Sequence, residues 1–209
     1  MTTMEEIYAA NTMTYEEVWR SYKKTYRPKD KEDGIADLMR KAGVPERFVG
    51  AEEDTSHDLT GGKGLVIFGA QGSGKTTKAA GVLKGWVTRH RGKARFVTSA
   101  DLLTEISATY STSDTELSVL RKYGRCSLLV IDDLGKENPT DQALTKLWQV
   151  IDTRYGAMLP TIVTTQYDLA GMARELGRKG GTETAKAIVS RLYETCKPLS
   201  MGTVDHRRK

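Results

Sequence analysis

GLVIFGAQGSGKTT, residues 64–77, is the stretch whose reading decides how this chain folds. Gly64 to Phe68 is a short apolar run of strand type, and a glycine loop follows at Gly69 to Gly74. From about Lys75 to Arg91 the pattern predicts a helix. The spacing G-x-x-x-x-G-K-[ST] is met at every fixed position, between a strand and a helix as the pattern requires. Gly72 and Gly74 allow backbone conformations that turn successive N–H groups inward, making an anion cradle at a helix N-terminus. Lys75 can reach β- and γ-phosphates as a mobile cation, and the Thr76 hydroxyl is placed to ligate Mg²⁺. The expected nucleotide site is therefore Gly69, Ala70, Gln71, Gly72, Ser73, Gly74, Lys75, Thr76 and Thr77, taking ATP or ADP with Mg²⁺.

Working outward, further strands and helices alternate. Ala94 to Thr98 reads as a second strand, and Ser99-Ala100-Asp101 opens the next helix. Ser127 to Ile131 is the most apolar strand and belongs at a sheet centre. Leu144, Leu147, Trp148, Ile151 and Tyr155 mark a helix, Thr161 to Thr165 a fourth strand, and Ala185, Ile188, Val189 and Leu192 a late helix. Pro198 to Met201 suits a fifth, edge strand. Strand–helix alternation with short connections predicts a three-layer α/β fold with about five parallel strands.

Two acids follow the central strand. Asp132, at its C-terminal end, reads as the Mg²⁺-holding acid of a P-loop NTPase. Asp133 beside it repels it, a cost best offset by a cation and a catalytic water. Asp133 is assigned to orienting or deprotonating that water, and a cap on the following turn is its other reading. Thr164-Thr165-Gln166 ends the next strand, where a polar side chain would project between the two motifs or simply form a strand-end turn.

Composition bounds the rest. The 209 residues suggest roughly one domain plus an appendage. Lys and Arg number 32 against 27 Asp and Glu, a net charge of +5 that permits nucleic-acid binding without demonstrating it. No apolar run reaches the length of a membrane span, and residues 1–6 show neither the basic nor the apolar region of a secretory signal. Cys126 and Cys196 cannot build a disulfide framework, and His57, His90 and His206 are scattered, so a cytoplasmic protein is expected.

Residues 1–60 read as a helical N-terminal extension and residues 61–209 as the ATPase core. Capping-box patterns start at Thr3 and Thr14, and Tyr15, Val18, Trp19, Tyr22 and Tyr26 form one apolar stripe. That stripe packs on the core or docks a partner. A second helix is expected from Gly34 to Ala42, ending at Gly43-Val44-Pro45, with a polar connector over Glu52 to Thr60.

GLVIFGAQGSGKTT, SLLVIDDLGKE, RYGAMLPTIVTTQYDL and IVSRLYE, in this order and spacing, resemble the helicase-loader (DnaC/DnaI) and IstB-like AAA+ ATPases. AGVPERF, residues 42–48, is similar to the segment before their P-loop. The P-loop alone is common to many unrelated NTPases, whereas its combination with IDDLG, LPTIVTT and SRL is far more selective. The resemblance, from about Gly43 onward, implies an AAA+ core that assembles as an ATP-dependent homo-oligomer with nucleotide between subunits. It puts Gln166 at the sensor-1 place, where the family usually has Asn, and Asp133 where it usually has Glu. It puts Arg191 at the arginine-finger place, and Arg191 lies off its helix's apolar stripe. Arg154 falls in the matching Arg-Tyr pair, with an ion pair within the helix as the other reading. The chain ends at Lys209, so a C-terminal lid is not expected. A cysteine-rich N-terminal module of the kind some of these loaders use for docking is also not expected, so a loader would dock through the helical extension or use another partner.

Basic residues gather at Lys84, Arg89, Arg91, Lys93 and Arg95, at Arg121, Lys122 and Arg125, at Arg174, Arg178 and Lys179, and in the 206–209 tail. Each is a DNA-backbone contact or a solvated face, and Tyr110 and Tyr123 could stack bases. The leading reading is a slow ATPase, stimulated by single-stranded DNA, that loads a replicative helicase. An IstB-like transposition ATPase activating a transposase on duplex DNA stands beside it. A small P-loop nucleotide or metabolite kinase, and an ATP-binding module that does not turn over, are the others.

Overall fold

A computed structural model describes residues 33–90, 92–108, 113–137 and 139–202. The expected N-terminal helices with their aromatic stripe, Arg91, Tyr110 and the basic tail lie outside the described residues.

Four largely buried runs form the strands β1 (Gly64–Phe68), β2 (Ala94–Thr98), β3 (Leu128–Asp132) and β4 (Thr161–Thr165), and a mostly exposed run forms β5 (Cys196–Ser200). Eight helices are described: α1 (Asp33–Ala42), α2 (Glu46–Val49), α3 (Lys75–His90), α4 (Ser99–Ala108), α5 (Ser113–Gly124), α6 (Asp141–Gly156), α7 (Leu169–Leu176) and α8 (Thr182–Thr195). Every strand-to-strand connection carries at least one helix, as parallel pairing demands. The sheet is parallel throughout, in the order β2-β3-β4-β1-β5.

Alternation along the strands divides the core into two layers. Val66, Leu129, Ile131 and Val163 face α4 to α8. Leu65, Ile67, Leu128, Val130 and Ile162 face α3 and the α1–α2 segment. That second layer takes in Met39, Val44, Val49, Ala51 and Leu59, so residues from α1 to Leu59 are built into the same packed body as the P-loop helix. The chain at Glu52 to Asp54 lies directly on α3: a Cβ on Gly81 would stand 2.5 Å from Glu52 O, and one on Gly85 2.4 Å from Asp54 O. Glycine inside this helix is therefore a requirement of close approach.

The turn after α1 covers the outer side of β2. Gly43 has φ +92°, a Cβ there would meet Phe96 O at 2.6 Å, and Arg95 Nη1 donates to Lys41 O at 2.9 Å.

Several expectations are corrected. The central strand runs one residue later than Ser127 to Ile131, which puts Asp132 on the strand itself. The fifth strand begins at Cys196 and includes Pro198, tolerated because β5, among the described residues, pairs with β1 alone. Helices α2, α5 and α7 fall where the sequence pattern predicts none. Arg154, read as part of the family's Arg-Tyr pair or as an ion-pair partner within its helix, is fully buried. Its guanidinium donates to Tyr123 O, Cys126 O and Pro160 O at 2.9, 2.8 and 2.6 Å and to Thr161 Oγ1 at 2.9 Å. It thus ties together the chain segments that enter β3 and β4. Burial raises the thiol pKa values of Cys126 and Cys196, the latter to about 11.

Candidate nucleotide site

The loop between β1 and α3 has the predicted backbone. Gly72 and Gly74 adopt φ of +79° and +88°, and the segment closes on itself through Ser73 N–H to Ala70 O at 3.3 Å. Its start is braced from the end of β5: Ala70 N–H donates to Gly202 O at 3.1 Å, and Met201 N–H to Phe68 O at 2.8 Å. Lys75 is buried to 6% exposure, its ammonium donating to Gly69 O at 2.9 Å and Ala70 O at 2.7 Å. Ser73 Oγ is buried with no hydrogen-bond partner. A buried hydroxyl without a partner, beside a left-handed glycine turn and a buried ammonium, is a cradle suited to phosphate oxygens. Gln71 and Thr77 are exposed at its rim.

Thr76 lies in the first turn of α3 and Asp132 at the end of β3, and they meet across the site. Thr76 Oγ1 is 3.1 and 3.2 Å from the two carboxylate oxygens of Asp132. One hydroxyl and one carboxylate form a hard-oxygen pair of the kind Mg²⁺ uses when phosphates and water fill its other positions. The residues fit that ion. Among the described residues no group of three or more His, Cys, Asp and Glu could hold a metal, so a divalent ion here would depend on phosphate oxygens as well. Burial pushes the Asp132 carboxyl above its usual range, opposed by its hydrogen bond from Thr164, while neighbouring Asp133 pushes it up further.

Asp133 has φ +61°, a left-handed conformation rare for a residue with a side chain. Two neighbouring elements hold it there. Its N–H donates to Thr164 Oγ1 at 2.9 Å, and its carbonyl accepts from Ser99 Oγ at 3.0 Å. The Asp133 carboxylate lies 2.6 Å from Lys136 Nζ, and Ser99 Oγ also contacts the Glu137 carboxylate. Thr164, fully buried on β4, donates to Asp132 Oδ1 as well.

The profile of the IstB-like ATP binding protein family matches residues 37–209. The chain belongs to this family. Among curated relatives, the replicative helicase loader DnaC of Escherichia coli K12 is 26% identical over 116 residues, covering 55% of this chain and 47% of the relative. The loader of Buchnera aphidicola is 28% identical over 117 residues with the same coverage. The match thus spans about half the length of these curated relatives. The crystal structure of the DnaC helicase loader aligns with 87% of this chain and 97% of its own, at a TM-score of 0.57 and 27% identity. The DnaI structure aligns at 0.59 with 23% identity and supports the fold. The five-stranded parallel sheet carrying this loop is the AAA+ P-loop architecture.

In this IstB-like chain the other expected residues are placed unequally. Gln166 is exposed, and the polar side chain standing between the two motifs is Thr164. The signal for Thr164 was present, since a hydroxyl in a fully buried strand needs a partner. Arg191 lies toward the end of the sheet opposite the P-loop. It lies about one turn before β5, whose first residue pairs with Gly64, while the P-loop starts beyond the five-residue β1, about 16 Å further along. Arg191 Nε donates to Asp152 Oδ1 at 3.0 Å, and its guanidinium covers the Tyr155 ring. The base-stacking role of Tyr123 is corrected: it is 2% exposed, with its hydroxyl on Glu105. Within the basic clusters, Lys84 donates to Ala51 O, Arg89 to Thr55 O, and Lys122 pairs with Glu105. Among the described residues no helix is long and apolar enough to cross a membrane.

Proposed function

We propose that this chain is a Mg²⁺-dependent ATPase that works as an oligomer on a DNA-bound protein partner, foremost as a loader of a replicative helicase. The observation that carries the ATPase is the meeting of Thr76 and Asp132 below a buried, unpartnered Ser73 hydroxyl, with Asp133 next in line. The P-loop amides and Lys75 would hold the β- and γ-phosphates, Lys75 exchanging its carbonyl partners for phosphate oxygens. Thr76 and Asp132 would hold Mg²⁺, which when bound offsets phosphate charge. Asp133 would orient water and accept its proton, being shorter by one methylene than the usual Glu. Arg191, far from its own P-loop, would serve the γ-phosphate of a neighbouring subunit, and Gln166 is kept as a weaker γ-phosphate sensor.

The loader reading rests on the similarity to DnaC, and single-stranded DNA contact would be through the backbone and sensitive to salt. The IstB-like family match favours a second reading, activation of a transposase on duplex DNA, over the small kinase.

ATP hydrolysis should be slow alone, rise with DNA or partner, and vanish in Lys75→Ala. Asp133→Asn should retain nucleotide and trap the partner. Recovery of a helicase supports loading, and recovery of a transposase supports the second reading. No hydrolysis by the wild type with either DNA form and either partner refutes the ATPase.

A further inference from the structure

Thr164 is the next-to-last residue of β4, and its bonds converge on three consecutive residues at the end of β3. Its hydroxyl donates to Asp132 Oδ1 and accepts the Asp133 N–H at 2.9 Å, and its carbonyl accepts the Leu134 N–H at 2.8 Å. A threonine hydroxyl has one hydrogen to give, so this arrangement commits it to Asp132 while a lone pair holds Asp133. The first bond anchors Asp132 Oδ1 from the β4 side and so fixes the rotation of the whole carboxylate, both of whose oxygens stand within 3.2 Å of Thr76 Oγ1. The second holds the left-handed backbone from which the Asp133 carboxylate projects. In a strand buried on both faces Val fills the same space without a polar atom, so a hydroxyl there is tolerated only through its partners. The adjacent Thr165 makes the contrast: it is equally buried, yet its hydroxyl accepts the Tyr167 N–H at 3.2 Å and serves a local turn.

We propose that Thr164 is a positioning residue that sets both acids through one hydroxyl, aligning the metal-facing carboxylate of Asp132 with the water-facing carboxylate of Asp133. The proposal rests on the ATPase reading above and extends it to a residue that touches neither nucleotide nor metal. Partners that orient a metal-binding carboxylate typically change metal affinity or activity by about 10- to 100-fold when removed.

The test compares wild type, Thr164→Val, Thr164→Ser and Thr165→Val. Binding of a fluorescent ATP analogue is measured in EDTA and in Mg²⁺, alongside kcat and KM for hydrolysis. In EDTA all four should bind alike, because the P-loop cradle does not use Thr164. In Mg²⁺, Thr164→Val should lose about tenfold or more of the metal-dependent gain in affinity, with kcat falling too. Thr164→Ser should recover most of both, and Thr165→Val should match wild type. A metal-dependent gain unchanged in Thr164→Val, or an equal loss in EDTA and Mg²⁺, overturns the proposal, as does failure of the serine variant to recover the gain. Wild-type binding that does not respond to Mg²⁺ overturns it as well. A wild type that gains affinity with Mg²⁺ but never hydrolyses refutes the ATPase reading alone, and the binding comparison then still decides the role of Thr164.

Discussion

Lys136 Nζ stands 2.6 Å from Asp133 Oδ2, three residues along the same turn, and both side chains are partly exposed at 40% and 34%. The acid proposed to activate water is thus paired with a cation of its own loop. Lys136 neutralises Asp133 and competes with water for its oxygens. An exposed pair of this kind contributes about 0.2–1 kcal/mol, at most roughly a fivefold effect. Lys136→Gln should therefore raise basal hydrolysis by up to about fivefold and leave ATP affinity unchanged. Steady-state turnover at saturating ATP checks this, and a fall in turnover would make Lys136 a phosphate contact instead.

Arg191 provides a test between subunits. Because it lies at the end of the sheet away from its own P-loop, Arg191→Ala should bind ATP normally and hydrolyse it about 10³-fold more slowly. Mixed with Lys75→Ala, which has an intact Arg191 but a defective cradle, it should regain part of the activity. Titrating one inactive variant into the other reads this directly. Flat activity across all ratios would mean that Arg191 serves no neighbouring site.

Arg154 should matter for stability and not for chemistry. Arg154→Met keeps the apolar stem but leaves the carbonyls of Tyr123, Cys126 and Pro160 without its donors. The loss should be about 3 kcal/mol or more, lowering Tm by about 6–12 °C in a chain of this size. Thermal unfolding by circular dichroism measures it, and a change below about 2 °C would show that water or neighbours satisfy those carbonyls.

Asp54 links the segment before β1 to the P-loop helix through Lys78 Nζ at 2.6 Å. Partial burial pushes its carboxyl up, but bonds from Lys78 and Ser56 outweigh this and hold it at about 2. A folded value below the unfolded one stabilises the protein above about pH 4, and the contribution fades as pH falls toward 2. Asp54→Asn should cost about 2 kcal/mol at neutral pH, with the gap to wild type closing in acid. Urea unfolding of both proteins across this range tests it. A gap that does not change with pH would assign the cost to packing.

Strands β1, β2 and β4 were legible to the residue, because each is a short apolar run bounded by turn residues. The P-loop was equally legible, since its chemistry is local: a strand, a glycine turn and a helix start within fourteen residues of sequence. Helix α7 escaped because it is only eight residues long, although Asp168 caps it by accepting the Gly171 N–H at 2.7 Å. Arg154 could not be read, since its partners come from two other segments that meet only in the folded chain. The emphasis on Gln166 over Thr164 has a similar cause. Position along β4 narrows the choice to the strand end, but the partner across on β3 decides which side chain enters the site.

The glycine turn after α1 has one more consequence. β2 is an outermost strand, and Gly43, pressed against Phe96 O, together with the Arg95–Lys41 bond, shields its open side. A fragment trimmed to begin near Gly61 would retain every phosphate-site residue but bare that edge to pairing with other chains. Such a fragment should aggregate through β2, and the segment ahead of the P-loop would then be valued for keeping the protein monodisperse.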